Sequence, residues 1–595
     1  MLFLGQLLFF VVEVPIIAII VLCLLFYYSA KRGATSWYVY LFVGLTWFIC
    51  LVVIFLVPLD LAETLVDRCQ VLVAYSEYTG YQKGDCPVHE TRPGFVYILW
   101  LIIYWISFAL TWLWLPICSQ YAVAGDYSFL KRLQTALWSN ALFYAICGIF
   151  IIGFGIYMAI RYHLSAYSLM GLLIGLSNAF GLLGVICMLG YGIVQIPRAL
   201  WHLGDLNRRL RYCEFKVTEY NDRMDEARAD LAQILGQIER VQQKLAQLLA
   251  LEDIRDGSET IDEQPPGIAP SSIQQRHRLI NFIQVIIREI PREDLRVALP
   301  VPDRTAEIPK LITENFLARL HQRLYQRVIE YRKSSYLWSR TCDEAFQLEQ
   351  WIAWKNGTSW KSIWIPNSYS WHSFYLLLMS RFLACIAIAL SVLFLWSETT
   401  IWSLKTSHHW DVSPLSLWIH RQGMSNYAIQ LISLFSIAYL ALCVYYSLFH
   451  FNLYRFYELI PQHTDTYSLF LNALLCCRFT VPLCYNFLTC VHETAFAVPL
   501  LYPSIPASLL PTTSFSKVEQ SMQVLPILGN SFNAFFPVVL LLFVLGTSFQ
   551  LWTRLLSALG LKQFGFERDD DLQYERLGRE LLEREKQTRQ RRATN

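Results

Sequence analysis

Apolar residues fill nine stretches of the chain, near 4–28, 38–60, 94–118, 136–160, 168–196, 371–396, 425–449, 467–491 and 531–552. Each is long enough to cross about 30 Å of hydrocarbon at about 1.5 Å per helical residue. A segment in lipid must satisfy its own backbone hydrogen bonds, and these runs are too long for barrel strands, so each is predicted to be a helix. The pattern divides the chain into a five-span bundle (1–196), a polar insert (197–370), a four-span bundle (371–552) and a tail (553–595), and the fold class is all-α.

Within the insert the period changes. Leu210, Cys213, Val217, Tyr220, Met224, Ala227, Leu231, Ile234, Ile238, Val241, Leu245 and Leu248 alternate by three and four residues. This is a coiled-coil seam, and as one helix it makes a rod of about 60 Å. Near 253–276 it breaks: Asp256-Gly257-Ser258 and Pro265-Pro266-Gly267 oppose helix, and a mobile loop is expected. A second helical pattern from about Lys310 to Trp338 carries Phe316, Leu317, Leu320, Leu324, Val328 and Tyr331, so an antiparallel hairpin within the chain is favoured over dimerisation through 210–248.

Charge then orients the spans. No basic residue precedes the first run and Lys31-Arg32 follow it, which suits an uncleaved anchor with its N-terminus outside. Nine spans from that start put Lys131-Arg132, the cluster Arg198, Arg208, Arg209, Arg211, and Arg554 with Lys562 in the cytoplasm, although the outer loops also carry Arg68, Lys83, Arg92, Arg161, Lys405, Arg421 and Lys517. Asn356-Gly357-Thr358 has the form of a glycosylation acceptor on the side this topology leaves unmodified. At 55% hydrophobic and 16% charged the chain is too apolar for a set of soluble domains, and with basic residues exceeding acidic ones by only three the balance argues neither for a nucleic-acid partner nor for a strongly charged one.

Chemistry is sparse. There is no phosphate loop and no G-x-S-x-G elbow, and His492-Glu493 lacks the second histidine of a zinc-protease helix, so no catalysis, metal or cofactor is expected. Charges inside apolar runs are costly and mark candidate positions: Glu13, Arg381 and Arg478, with Asp60 closing span two beside the aqueous loop. A carboxylate–arginine pair inside the bundle, for instance Glu13 with Arg381 or Arg478, would keep both charges ionised, and the sequence does not choose between them; structural ion pairs or snorkelling are the bland alternative. Gly171, Gly175, Ser177, Gly181, Gly184, Gly190 and Gly192 in span five allow close helix packing or, in a transporter, a bend. Cys69 and Cys86 are the two cysteines of the first outer loop and can bridge there. The tail from Glu567 forms an amphipathic helix with Lys586, Arg589, Arg591 and Arg592, either a solvated face or a contact with anionic lipid.

The stretches Asp465-Thr466-Tyr467-Ser468-Leu469 and Cys477-Arg478-Phe479-Thr480-Val481-Pro482-Leu483-Cys484-Tyr485-Asn486-Phe487-Leu488 resemble the limb region 1 family. So do Phe55 to Asp60, Arg68-Cys69, Tyr104-Trp105, Leu110-Thr111-Trp112, Trp396-Ser397-Glu398 and Glu580 to Lys586. The resemblance implies a nine-span protein of the plasma membrane or endolysosomal system. It also implies one of several functions: lipocalin receptor, regulator of G-protein-coupled receptor signalling, or cobalamin exporter. The subfamily most alike is linked to adrenergic-type receptors, so a regulator or scaffold whose insert recruits signalling partners is the leading expectation, and a transporter using Glu13, Arg381 and Arg478 is second. The family supplies Asp465, Tyr467 and Asn486 as motif polar residues without assigned roles.

Overall fold

The computed structural model describes residues 9–30, 35–75, 86, 89, 94–162, 166–256, 278–286, 312–357, 368–400, 411–421, 424–451, 457–494, 497–503, 505–520, 529–551 and 570–594. Among them there is no strand. The helices are α1 (Phe9–Tyr28), α2 (Trp37–Ala74), α3 (Phe95–Val123), α4 (Phe129–Tyr162), α5 (Ala166–Leu203), α6 (Leu206–Asp256) and α7 (Glu314–Gly357). They continue with α8 (Ser368–Thr399), α9 (Pro414–Ile419), α10 (Asn426–His450), α11 (Thr466–Cys490), α12 (Ser514–Gln520), α13 (Gly529–Ser548) and α14 (Asp570–Thr594). Among the described residues, eight helices, α1 to α5, α8, α10 and α11, are long and apolar enough to cross a membrane. The ninth expected span is α13, whose described apolar part, Pro537–Ser548, is shorter.

The chain packs as two compact units: Met1–Pro116 with Phe143–Asp205 and Thr358–Phe566, and Ile117–Leu142 with Leu206–Gly357 and Glu567–Asn595. In the first unit the two apolar halves of the chain mesh. Helix α5 packs on α8, α10, α11 and α13, and α2 packs on α10 and α11. Small residues make this possible: a Cβ at Gly192 would stand 2.2 Å from the Cys443 carbonyl oxygen, so only glycine admits α10 at that distance. Hydroxyls replace side-chain bulk along the same seam, with Ser447 donating to the Met188 carbonyl (2.7 Å) and Ser391 to that of Ile193 (3.0 Å). Across α2 and α11, Trp47 Nε1 donates to Asn472 Oδ1 (3.0 Å) and Asn472 Nδ2 to the Tyr457 hydroxyl (2.8 Å), so this buried amide is satisfied on both sides.

Helix α2 does not stop at Asp60, where hydropathy ends span two. It continues to Ala74 because Leu72 is buried against Val498, Ile505 and Leu510, which reward the extra turns with apolar burial.

In the second unit α6 and α7 form the expected hairpin. Leu231, Ile234, Ile238, Val241 and Leu245 are buried with Leu317, Leu320, Leu324 and Val328, so the heptad seam is covered from within the chain. Helix α7 begins near the expected start but runs past Trp338 to Gly357, because Cys342, Ala345 and Leu348 bury against Cys213 and Val217. The loop expected over 253–276 lies outside the described residues from 257 onward, and 253–256 finish α6 instead. Thr358, needed for the glycosylation motif, also lies outside them. The tail helix α14 packs along α6: Leu582 is buried in that cluster, Thr218 donates to the Tyr574 carbonyl (2.9 Å), and Arg579 pairs with Glu214 (2.9 Å).

Candidate functional site

A buried polar cluster of the first unit lies toward the ends of α2 and α11. Arg68, on the extension of α2, is 1% exposed and places both terminal nitrogens on the Glu493 carboxylate, which is 0% exposed; the Nη2 contact is 2.7 Å. Nη2 also donates to the Pro511 carbonyl (3.0 Å). This forked geometry is what keeps two charges tolerable without water.

Glu493 reaches Arg68 because of how α11 stops. Glu493 N–H bonds to the Leu488 carbonyl (2.8 Å) and His492 N–H to that of Thr489 (3.1 Å), with His492 at φ +62°. That is a Schellman ending with histidine where glycine is usual, so the chain accepts left-handed backbone strain to turn Glu493 inward. His420 Nε2 lies 2.6 Å from Glu493 Oε1, Ser416 Oγ donates to Asp411 Oδ2 (2.5 Å), and His492 Nδ1 lies 3.1 Å from Asp411 Oδ1. Burial pushes the Glu493 carboxyl up, but the Arg68 guanidinium and the His420 ring overcome it and hold the carboxyl at about 2. Burial likewise acts against the Asp411 carboxylate, while the His492 ring and the Ser416 hydroxyl bring it below the ordinary carboxylate range.

Asp60 belongs to the same end of the bundle. Its carboxylate accepts the N–H groups of Ser514 and Phe515 (2.8 Å each) and Trp100 Nε1 (3.0 Å), so it is anchored between α2, α3 and the start of α12 rather than free beside an aqueous loop. Cys69, next to Arg68, is bonded to Cys86, with Cα atoms 5.6 Å apart. Glu398, the end of another family-like stretch, accepts the Cys490 thiol (3.2 Å). Arg68 and Glu493 are sealed from solvent and tie the end of α2 to the segment that follows α11. The arrangement is a lock between separate chain segments.

The other charges singled out from the sequence, Glu13, Arg381 and Arg478, lie elsewhere, and Glu13 pairs with neither arginine. Glu13 is half-buried at the end of a π-helical turn, Phe9–Glu13, and no basic residue pairs with it among the described residues. Arg381 stacks on the Trp201 ring at 5.3 Å, and Arg478 on the Trp112 ring at 4.3 Å. Each arginine instead meets an indole face, a contact that stabilises a cation in apolar surroundings. Trp112 sits in a second π-helical turn, Leu110–Trp114, in mid-span; its carbonyl accepts the Tyr144 hydroxyl (2.5 Å), and neighbouring Thr111 donates to Cys477 Sγ (3.3 Å). Two family-like stretches, Leu110 to Trp112 and Cys477-Arg478, therefore meet at a π-bulge, a feature frequent at functional sites.

Of the motif residues, Asp465 caps α11 by accepting Ser468 N–H (2.9 Å), Tyr467 is half-buried in its first turn, and Asn486 is buried near its end. The Arg68–Glu493 pair was missed by sequence reasoning. Its signal was two opposite charges just beyond apolar runs on the same expected side of the membrane, 425 residues apart.

Residues 6–552 match the family model described as LMBR1-like membrane protein. The chain is 28% identical to the human protein named "G-protein coupled receptor-associated protein LMBRD2", over 92% of this chain and 79% of that one. It is 27% identical to the Xenopus laevis protein of the same name, with the same coverage of both chains. It is 25% identical to "LMBR1 domain-containing protein 2 homolog A" of Dictyostelium discoideum, over 94% of this chain and 75% of that one. No solved structure matches it.

Proposed function

Because the chain belongs to the LMBR1-like membrane protein family, we propose that it is a non-enzymatic regulator or scaffold that associates with G-protein-coupled receptors, of adrenergic type, at the plasma membrane. The observation that carries this reading is the likeness to receptor-associated proteins along 92% of the chain, insert and spans alike. The α6–α7 hairpin with α14 laid along it supports the reading physically. It offers a long, rigid, solvated helical surface on which a cytoplasmic partner can dock. The N-terminus is outside and the tail cytoplasmic in this reading.

In cells lacking the native protein, receptor co-capture and agonist-evoked cyclic AMP are measured for a 205–340 deletion and for Arg478→Gln, both matched for surface expression. Loss of co-capture in the deletion alone is the expected result. Loss in Arg478→Gln alone overturns it and makes the membrane bundle, and transport of a solute, the leading reading.

A further inference from the structure

Arg381 stands about ten residues into the sixth apolar run by sequence, yet the structure puts it level with the end of α5. Its guanidinium lies over Trp201, two residues before α5 ends at Leu203. Around it the surface of α8 is apolar and open, with Leu378, Met379, Phe382 and Leu383 all exposed as on a lipid-facing helix. Trp201 is itself 43% exposed. Three residues earlier on the same face of α5 is Arg198, whose Nη2 donates to the Ser548 carbonyl (3.1 Å) where α13 ends. Arg381 therefore covers the indole while Arg198 stands one turn back on α5, where the ends of α5 and α13 meet the side of α8, and no carboxylate pairs with either arginine among the described residues. A solvated surface arginine gains little from such a place. One at the edge of an apolar belt, held over an indole, is placed to take a phosphate.

From this geometry we infer that Arg381, Trp201 and Arg198 form a binding site for the phosphate of an acidic phospholipid. The ring sits at headgroup level, the two arginines hold the phosphate, and the exposed leucine and phenylalanine side chains of α8 receive the acyl chains. The bundle end concerned is the one that basic residues mark as cytoplasmic, where anionic lipids concentrate. The site depends on membrane insertion alone and stands whether or not the chain engages a receptor.

The test uses the full chain, purified and stripped of lipid in detergent. Thermal unfolding and native mass spectrometry are followed on adding phosphatidylserine, phosphatidylcholine or inorganic phosphate. Phosphatidylserine is expected to bind and raise the midpoint while phosphatidylcholine does not. Arg381→Gln raises the half-saturating lipid concentration about fivefold, Arg381→Lys gives a smaller loss because the charge remains without the stacked plane, and Arg584→Gln in the tail has no effect. Equal phosphatidylserine binding by Arg381→Gln and Arg198→Gln overturns the site. Inorganic phosphate reproducing the shift at the same concentration overturns the lipid as its source.

Discussion

Arg68 and Glu493 are each sealed from water, so each is tolerable only while the other is present. Glu493→Gln leaves a buried guanidinium opposite a neutral amide and is expected to cost roughly 3–5 kcal/mol, read as a lower unfolding midpoint and reduced surface expression. Replacing both partners, Arg68→Met with Glu493→Leu, removes the stranded charge and should recover stability relative to either single change; a double variant worse than both would refute the account. The pH dependence has a definite sign. The folded-state carboxyl is lowered from 4.5 to about 2, so its contribution is complete above pH 4.5 and disappears as pH falls toward 2. The midpoint difference between the native chain and Glu493→Gln should therefore persist at pH 5, and should be lost only as pH falls below about 4.5. A difference already collapsing between pH 6 and 5 would mean that the carboxyl is not lowered.

At the scale of the helix, α14 is the least expected partner. A basic amphipathic tail reads as a solvated face more often than as a lipid contact, and amphipathicity reports that one side is covered and not by what. Here the cover is α6. A Cβ at Gly578 would stand 1.9 Å from the Glu214 carbonyl oxygen, and the charges of the tail meet acidic partners on α7, with Lys586 to Glu349 at 2.9 Å and Arg589 to Asp343 at 2.5 Å. Exposed pairs of this kind contribute little each, so the tail is held by Leu582 and the backbone approach at Gly578. Leu582→Asp should cost on the order of 3 kcal/mol locally. Hydrogen exchange should then show protection lost over 570–594 while 231–245 in the hairpin core stays protected. Equal loss in both segments would mean that the tail is integral to the hairpin.

Across the whole molecule, the reach of sequence reasoning follows the range of the interaction. The spans are legible because lipid demands length and apolarity from each run separately, and the hairpin because a heptad seam is local. Meshing of the apolar halves is not legible, since a run apolar on every face does not disclose which face meets protein and which meets lipid. The Arg68–Glu493 lock is hidden for the same reason: its partners share neither a helix nor a period. The mesh predicts that the two halves of the chain are not independent folding units. Fragments 1–265 and 266–595, coexpressed, should assemble, because α5 needs α8, α10, α11 and α13 to cover its glycine face and α6 needs α7 to cover its seam. Either fragment alone should be degraded. Gly192→Leu, which drives a branched side chain into the backbone of α10, should lower the yield of the co-purified pair even though α6 and α7 can still join the fragments. Stable, separately folded fragments that ignore one another would show that the mesh contributes nothing to assembly.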